Sequence, residues 1–209
     1  MELVNFEAFI VAITILTLTP GLDTALVLRN TSRGGFQDGC ITSLGICCGL
    51  FVHATLSAIG VSAVLAQSPS LFQAVKSVGA LYLIWLGITS VRSILRGAQG
   101  IEVGRQEART LNRICSLREG FLSNVLNPKT AVFYFAFLPQ FIHPQGSPII
   151  QSLVLALVHF IIAMIWQCGL AGMLNGAKKL LNSRGFITGM EGTTAVILIL
   201  LGGKLLLAP

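Results

Sequence analysis

The chain alternates long apolar runs with short polar breaks. Apolar positions dominate 5–29, 40–66, 70–91, 119–141, 149–174 and 187–208. Between them lie "NTSRGGFQDG" at 30–39, "QSPS" at 67–70, a polar stretch at 92–118, "HPQGSP" at 143–148 and "NGAKKLLNSRG" at 175–185. No Asp, Glu, Lys or Arg occurs between Asp38 and Lys76, or between Lys129 and Lys178. A helix that crosses a bilayer needs roughly 20 mostly apolar residues. The pattern therefore predicts an all-α polytopic membrane protein with six transmembrane helices. Lys76 falls in the first turns of the third run, from which its stem can reach the interface.

Two runs violate their own pattern. The first carries "LTPGLDTALVLRN" from Leu18 to Asn30, with Pro20, Gly21 and Asp23 inside the apolar stretch. The fourth carries "NVLNPKTAVFYFAFLP" from Asn124 to Pro139, with Asn127, Pro128 and Lys129 in the matching place. Thr24-Ala25 in one answers Thr130-Ala131 in the other. The second and fifth runs each hold a single histidine, His53 at 33 residues after Pro20 and His159 at 31 after Pro128. Three spans per half put the second half into the membrane inverted. The expected fold is one transmembrane domain over 1–209: repeat one at about 1–95, a cytoplasmic loop at about 92–118, and repeat two at about 119–209. Helices 1 and 4 are interrupted at Pro20 and Pro128. Inverted repeats with interrupted helices in corresponding positions point to a transporter's binding site.

Charge orients this arrangement. With both termini outside (N-out, C-out), eleven of the 14 Lys and Arg residues lie on the cytoplasmic side, Lys76 and Lys204 lie outside, and Lys129 lies within the membrane. Such asymmetry sets topology. Pro20 precedes Arg29 by nine residues and Pro128 follows Arg118 by ten. At 1.5 Å per residue both breaks sit roughly 14 Å below the cytoplasmic surface, near the middle of a core about 30 Å thick.

Composition narrows the class. The chain is 54% hydrophobic and 11% charged, against about 25% charged in soluble domains. The pI of about 9.4 follows from the one-sided cations. The Arg-rich loop suits lipid headgroups and lacks the interleaved aromatics that stack nucleic-acid bases, so no nucleic-acid partner is expected. "MELVNFEAF" has no basic region, and no cleaved signal peptide is expected. The five cysteines form no C-x-x-C pair and are taken as small packing residues. No metal site and no cofactor are expected. There is no H-E-x-x-H, nucleophile motif or cofactor fingerprint, which argues against an enzyme.

The breaks carry the chemistry. Proline removes a backbone donor and blocks the carbonyl four residues back. In lipid an unsatisfied backbone group costs several kcal/mol, so such a break must line a cavity or be buried in protein. Freed N–H groups at a half-helix N-terminus can hold an anion, and freed carbonyls a cation. Two opposed breaks thus fit a zwitterion. Asp23 is the candidate ligand for a substrate amine or a carrier of the coupling proton, with a fixed pairing to Lys129 as the alternative. Lys129 is the candidate partner of a substrate carboxylate. Thr19, Asn124 and Asn127 either bond the substrate or repair the backbone. His53 and His159 are candidate proton relays, or histidines hydrogen-bonded across helices. The G-x-x-x-G patterns "GICCG" at 45–49 and "GMLNG" at 172–176 permit close packing, within the chain or in a homodimer.

These residues resemble the lysine-exporter family, also called LysE/RhtB. The likeness rests on "TPGLDTALVLRNTSRGGFQDGCITSLGICCGLFVHATLSAIGV", "VGALYLIWLGITSVRS" and "GFLSNVLNPKTAVFYFAFLPQF", and covers nearly the whole chain. Leu22 stands where the family commonly has a second proline, and Asp23 where members carry Asn or Asp. The resemblance implies an exporter of amino acids or similar small metabolites in the bacterial inner membrane, driven by the proton gradient or membrane potential. The alternative is export of another solute, such as a metal cation held by Cys47, Cys48 and His53.

Overall fold

Apolar Phe6–Leu18 forms the first helix, α1. It stops where Pro20 would have to donate to the Leu16 carbonyl and cannot. Thr19 is extended, at φ −67 and ψ 118, and α2 then runs Leu22–Gln67. Residues 5–67, 69–96, 112–143, 145–174 and 183–207 of this computed structural model are described. Most of the polar stretch 92–118, and most of the stretch 175–185 with Lys178 and Lys179, lie outside them.

The expected loop at 30–39 is helical. Only Gly35 departs, at φ 79 and ψ −172, a conformation in practice open to glycine alone. Asn30 Nδ2 donates to Thr42 Oγ1 at 2.9 Å across 12 residues. A straight helix would hold residues so spaced about 18 Å apart, so α2 folds back on itself at Gly35. The local polar side chains sustain the helix instead of ending it. Thr31, Thr42 and Ser43 donate to the carbonyls four residues back.

Helix α3 spans Pro69–Leu95. Helix α4, Arg113–Val125, starts within the expected loop because Asn112 caps it, accepting from Cys115 N at 3.1 Å. Leu126 and an extended Asn127 interrupt the chain, and Pro128 opens α5, Pro128–Val132. The run then widens into a π-helix, Phe133–Phe137, and tightens into a 3₁₀ turn, Leu138–Phe141. Pro139 has no N–H for the Phe135 carbonyl, which accounts for the change of winding here. Helices α6, Pro148–Gly172, and α7, Arg184–Leu207, complete the described elements. All the regular structure among the described residues is helical.

Packing follows small residues. Helix α2 lies against α4 and α6, and α3 against α7. A Cβ on Gly45 would strike the Leu117 carbonyl, and one on Gly120 the Thr42 carbonyl, so α2 and α4 touch backbone to backbone. Gly87 and Gly202 play the same reciprocal part between α3 and α7. The 45–49 pattern therefore serves packing inside the chain. At the 172–176 pattern Gly172 faces Phe36, and the second glycine lies outside the described residues. Phe9, Phe133, Phe137 and Phe141 stack through the core, with neighbouring ring centres 4.9–5.3 Å apart.

The burial pattern is that of a membrane protein. Large apolar side chains such as Val78, Ile165 and Leu200 face outward, while Asn30, Thr42, Ser57 and Gln151 are buried. Leu22–Gly60 and Pro148–Gly172 are each long and apolar enough to cross a bilayer. Beside the Gly35 corner, Arg29, Asn30 and Arg33 converge on Glu119 at 2.9, 2.8 and 3.2 Å. Arg33 also binds Asp38 at 3.0 Å, and Ser116 donates to Asp38. Hydrogen bonding to Asp38 raises the Arg33 pKa, against the opposing effect of burial, and Glu119 adds to it. This network pins both arms of α2 to α4.

Candidate functional site

The two interruptions face each other across one cavity of about 230 Å³. Thr19, Gly21, Asp23, Asn124 and Asn127 line it, as do Pro128, Lys129 and His159. Two of the residues singled out from sequence do not line it. Pro20 acts through the carbonyl it strands, and His53 stands behind the wall.

Each proline strands one carbonyl, and a side chain from beside the other break, or packed against it, reaches it. Leu16 O lacks the N–H of residue 20, and Lys129 Nζ donates to it at 3.3 Å. Asn124 O lacks the N–H of residue 128, and His53 Nε2 lies 3.0 Å from it. A carbonyl only accepts, so Nε2 must carry the proton. Asn127 N also donates to Asn124 O, at 2.9 Å. Replacing His53 with alanine is expected to cost about 0.5–1.5 kcal/mol of stability, the net worth of one hydrogen bond, because Asn124 O keeps the Asn127 N–H. His53→Gln, which keeps an N–H donor, should recover most of this in thermal melts. Equal melting of all three proteins would remove the capping role.

Asp23 joins the breaks directly. It lies in the first turn of α2, where the helix dipole favours negative charge. Its Oδ1 accepts from Ser123 Oγ at 2.9 Å. Its Oδ2 accepts from Asn124 Nδ2 at 3.0 Å and Asn127 Nδ2 at 3.2 Å. A carboxylate offers about four acceptor positions, so one remains. The alternative of a fixed Asp23–Lys129 pair is not what forms: no ion pair joins them among the described residues. They are nevertheless the one carboxylate and the one ammonium on the cavity wall among the described residues. Two residues of this wall, Asn124 and Gln167, each carry a buried side-chain oxygen with no hydrogen-bond partner among the described residues. The cavity can thus meet an ammonium and a carboxylate together.

Behind this wall Tyr134 stands between the histidines. Its hydroxyl lies 3.0 Å from His159 Nδ1, and its ring centre lies 5.9 Å from each imidazole. Sequence reasoning took Tyr134 for part of an apolar run. It also passed over Ser123, which binds Asp23, and the place of Thr24 and Thr130 on the cavity wall, where Tyr82, taken for a packing or interface aromatic, also lies. The paired Thr-Ala dipeptides held the signal for the two threonines. Cys47 is buried and Cys48 exposed, so the two thiols do not share a site.

The family of LysE type translocators matches residues 14–208. The chain is 33% identical over 201 residues to "Uncharacterized membrane protein YrhP" of Bacillus subtilis, covering 94% of this chain and 96% of that protein. It is 30% identical over 164 residues to the homoserine/homoserine lactone efflux protein of Salmonella typhimurium, covering 78% and 77%. It is 30% identical over 143 residues to the leucine efflux protein of an Enterobacter species, covering 68% and 66%. No solved structure matches.

Proposed function

The chain belongs to the LysE type translocator family and is a multi-pass bacterial membrane protein, and from that premise we propose that it exports amino acids with uncharged side chains from the cytoplasm across the inner membrane. The observation that carries the proposal is the single cavity bearing one carboxylate, Asp23, and one ammonium, Lys129. A zwitterion uses both, and no second charge is left for a charged side chain. The substrate ammonium takes the open acceptor position of Asp23. The carboxylate takes Lys129 and the free N–H groups at the start of α2. The cavity is smaller than the roughly 300–1,000 Å³ of drug-sized pockets, which suits a small metabolite. The relatives' names, homoserine and leucine efflux, support the same class.

The proposed arrangement has six spans as two inverted repeats in one transmembrane unit. Span 1 is α1 with the first arm of α2, and span 4 runs from α4 to the 3₁₀ turn. The one-sided positive charges support an orientation with both termini outside. Proton gradient or membrane potential supplies the drive. Asp23, His53 and His159 are the proton-carrying candidates, supported by the His159–Tyr134–His53 row beside the cavity. The purified protein in liposomes is expected to move a labelled neutral amino acid uphill when a pH gradient or potential is imposed. Failure to move any amino acid under either force would overturn the proposal.

A further inference from the structure

A second cavity, of about 460 Å³, lies between α1 and α7. Its walls are Ile15, Leu18, Phe186, Gly185 and Gly189, with hydroxyls only from Thr19, Thr193 and Thr194. Among the described residues no charged side chain lines it. Thr19 belongs to the walls of both cavities, and its hydroxyl touches that of Thr194. Thr19 Oγ1 also reaches the Ile15 carbonyl, at 2.7 Å. The partition at this point is therefore a pair of threonine side chains that a change of rotamer can part.

Resting on the amino-acid reading above, we infer that this second cavity receives the apolar side chain of the substrate, and that Thr194 and the glycines behind it set how large a side chain is exported. The two spaces divide the ligand's chemistry. The central one holds the groups that match ammonium and carboxylate. The one beyond Thr19 is larger, uncharged and apolar, and an aliphatic side chain finds there the contacts that the zwitterionic head does not use. A small side chain such as that of serine is contained in the central cavity and does not need the second. The class of substrate is thus a neutral amino acid with a branched or extended aliphatic side chain.

The glycines make the test direct. A Cβ on Gly185 or Gly189 would meet nothing within 4 Å, so a larger residue enters open space and fills the second cavity. Leucine and serine uptake into liposomes is measured for the unmodified protein, Gly189→Leu and Gly185→Leu. The expected result is a loss of leucine transport on the order of tenfold, the scale on which pocket volume discriminates side chains, with serine transport held within about twofold. Equal loss of both substrates by a variant that melts like the unmodified protein overturns the inference, as does leucine transport unchanged in both variants. A changed oligomeric state with unchanged selectivity marks the groove as a contact between copies and also overturns it. If the unmodified protein moves neither amino acid, the export reading itself has failed, which is a separate result. A variant that melts early is set aside for the other glycine under the same criteria.

Discussion

Asp23→Ala is expected to lose export by on the order of 10–100-fold and to melt earlier than the unmodified protein. Two effects combine. The substrate loses its charged partner, worth about 1.5–3 kcal/mol for a hydrogen bond to an ionised group. The donors Ser123, Asn124 and Asn127 also lose the acceptor that holds the two breaks together. Asp23→Asn separates the effects. Its Oδ1 can still accept from both asparagines, and its Nδ2 can donate to the Ser123 hydroxyl, which turns to accept. The Asn variant should melt close to the unmodified protein and still export poorly. Efflux of labelled substrate and thermal melts of the three proteins decide. Normal export by Asp23→Ala would reduce Asp23 to scaffolding, and the site would then rest on the backbone and Lys129.

Gly120→Ala should be among the most damaging single added methyls at the described glycines. Its Cβ would run into the Thr42 carbonyl, and the facing Gly45 leaves α2 no room to yield, since Leu117 O already lies against it. Overpacking costs about 1–3 kcal/mol where side chains can adjust, and here backbone meets backbone. Separating α4 from α2 would also draw Ser123 and Asn124 away from Asp23, so export should fall with stability. Gly203→Ala is the control. Its Cβ would meet nothing within 4 Å, and a surface change of that kind stays within about 0.5 kcal/mol. Melting temperature and monodispersity in detergent read the difference. Equal behaviour of the two variants would mean that α2 and α4 do not approach so closely.

The breaks were legible in the sequence because proline acts locally. Pro20 and Pro128 each remove one donor from a ladder whose register is known, and the stranded carbonyls, at residues 16 and 124, follow by counting back four. What fills those carbonyls was not legible. Lys129 at Leu16 and His53 at Asn124 depend on which helices cross and at what height, and no spacing along the chain encodes that. The same limit made Asp23 and Lys129 look like natural partners. Their charges are opposite and their positions correspond, yet Asp23 meets three neutral donors on α4 and its exit turn. The helical corner at 30–39 was misjudged for a different reason. Its polar composition resembles a loop, but Thr31, Thr42 and Ser43 satisfy helix carbonyls and one glycine conformation supplies the entire reversal. Thr194 carried no signal at all, because its significance comes only from touching Thr19.

The stranded carbonyls bear on any dissection of the chain. Residues up to 96 hold the Leu16 carbonyl but not the lysine that satisfies it, and residues from 112 onward hold the Asn124 carbonyl but not its histidine. Asp23 belongs to the first stretch and all three of its donors to the second. Expressed apart, the first stretch would carry the open Leu16 carbonyl into lipid, and the second would keep only the Asn127 N–H on its Asn124 carbonyl. Expressed together, the two are expected to complete each other's breaks by exchanging side chains.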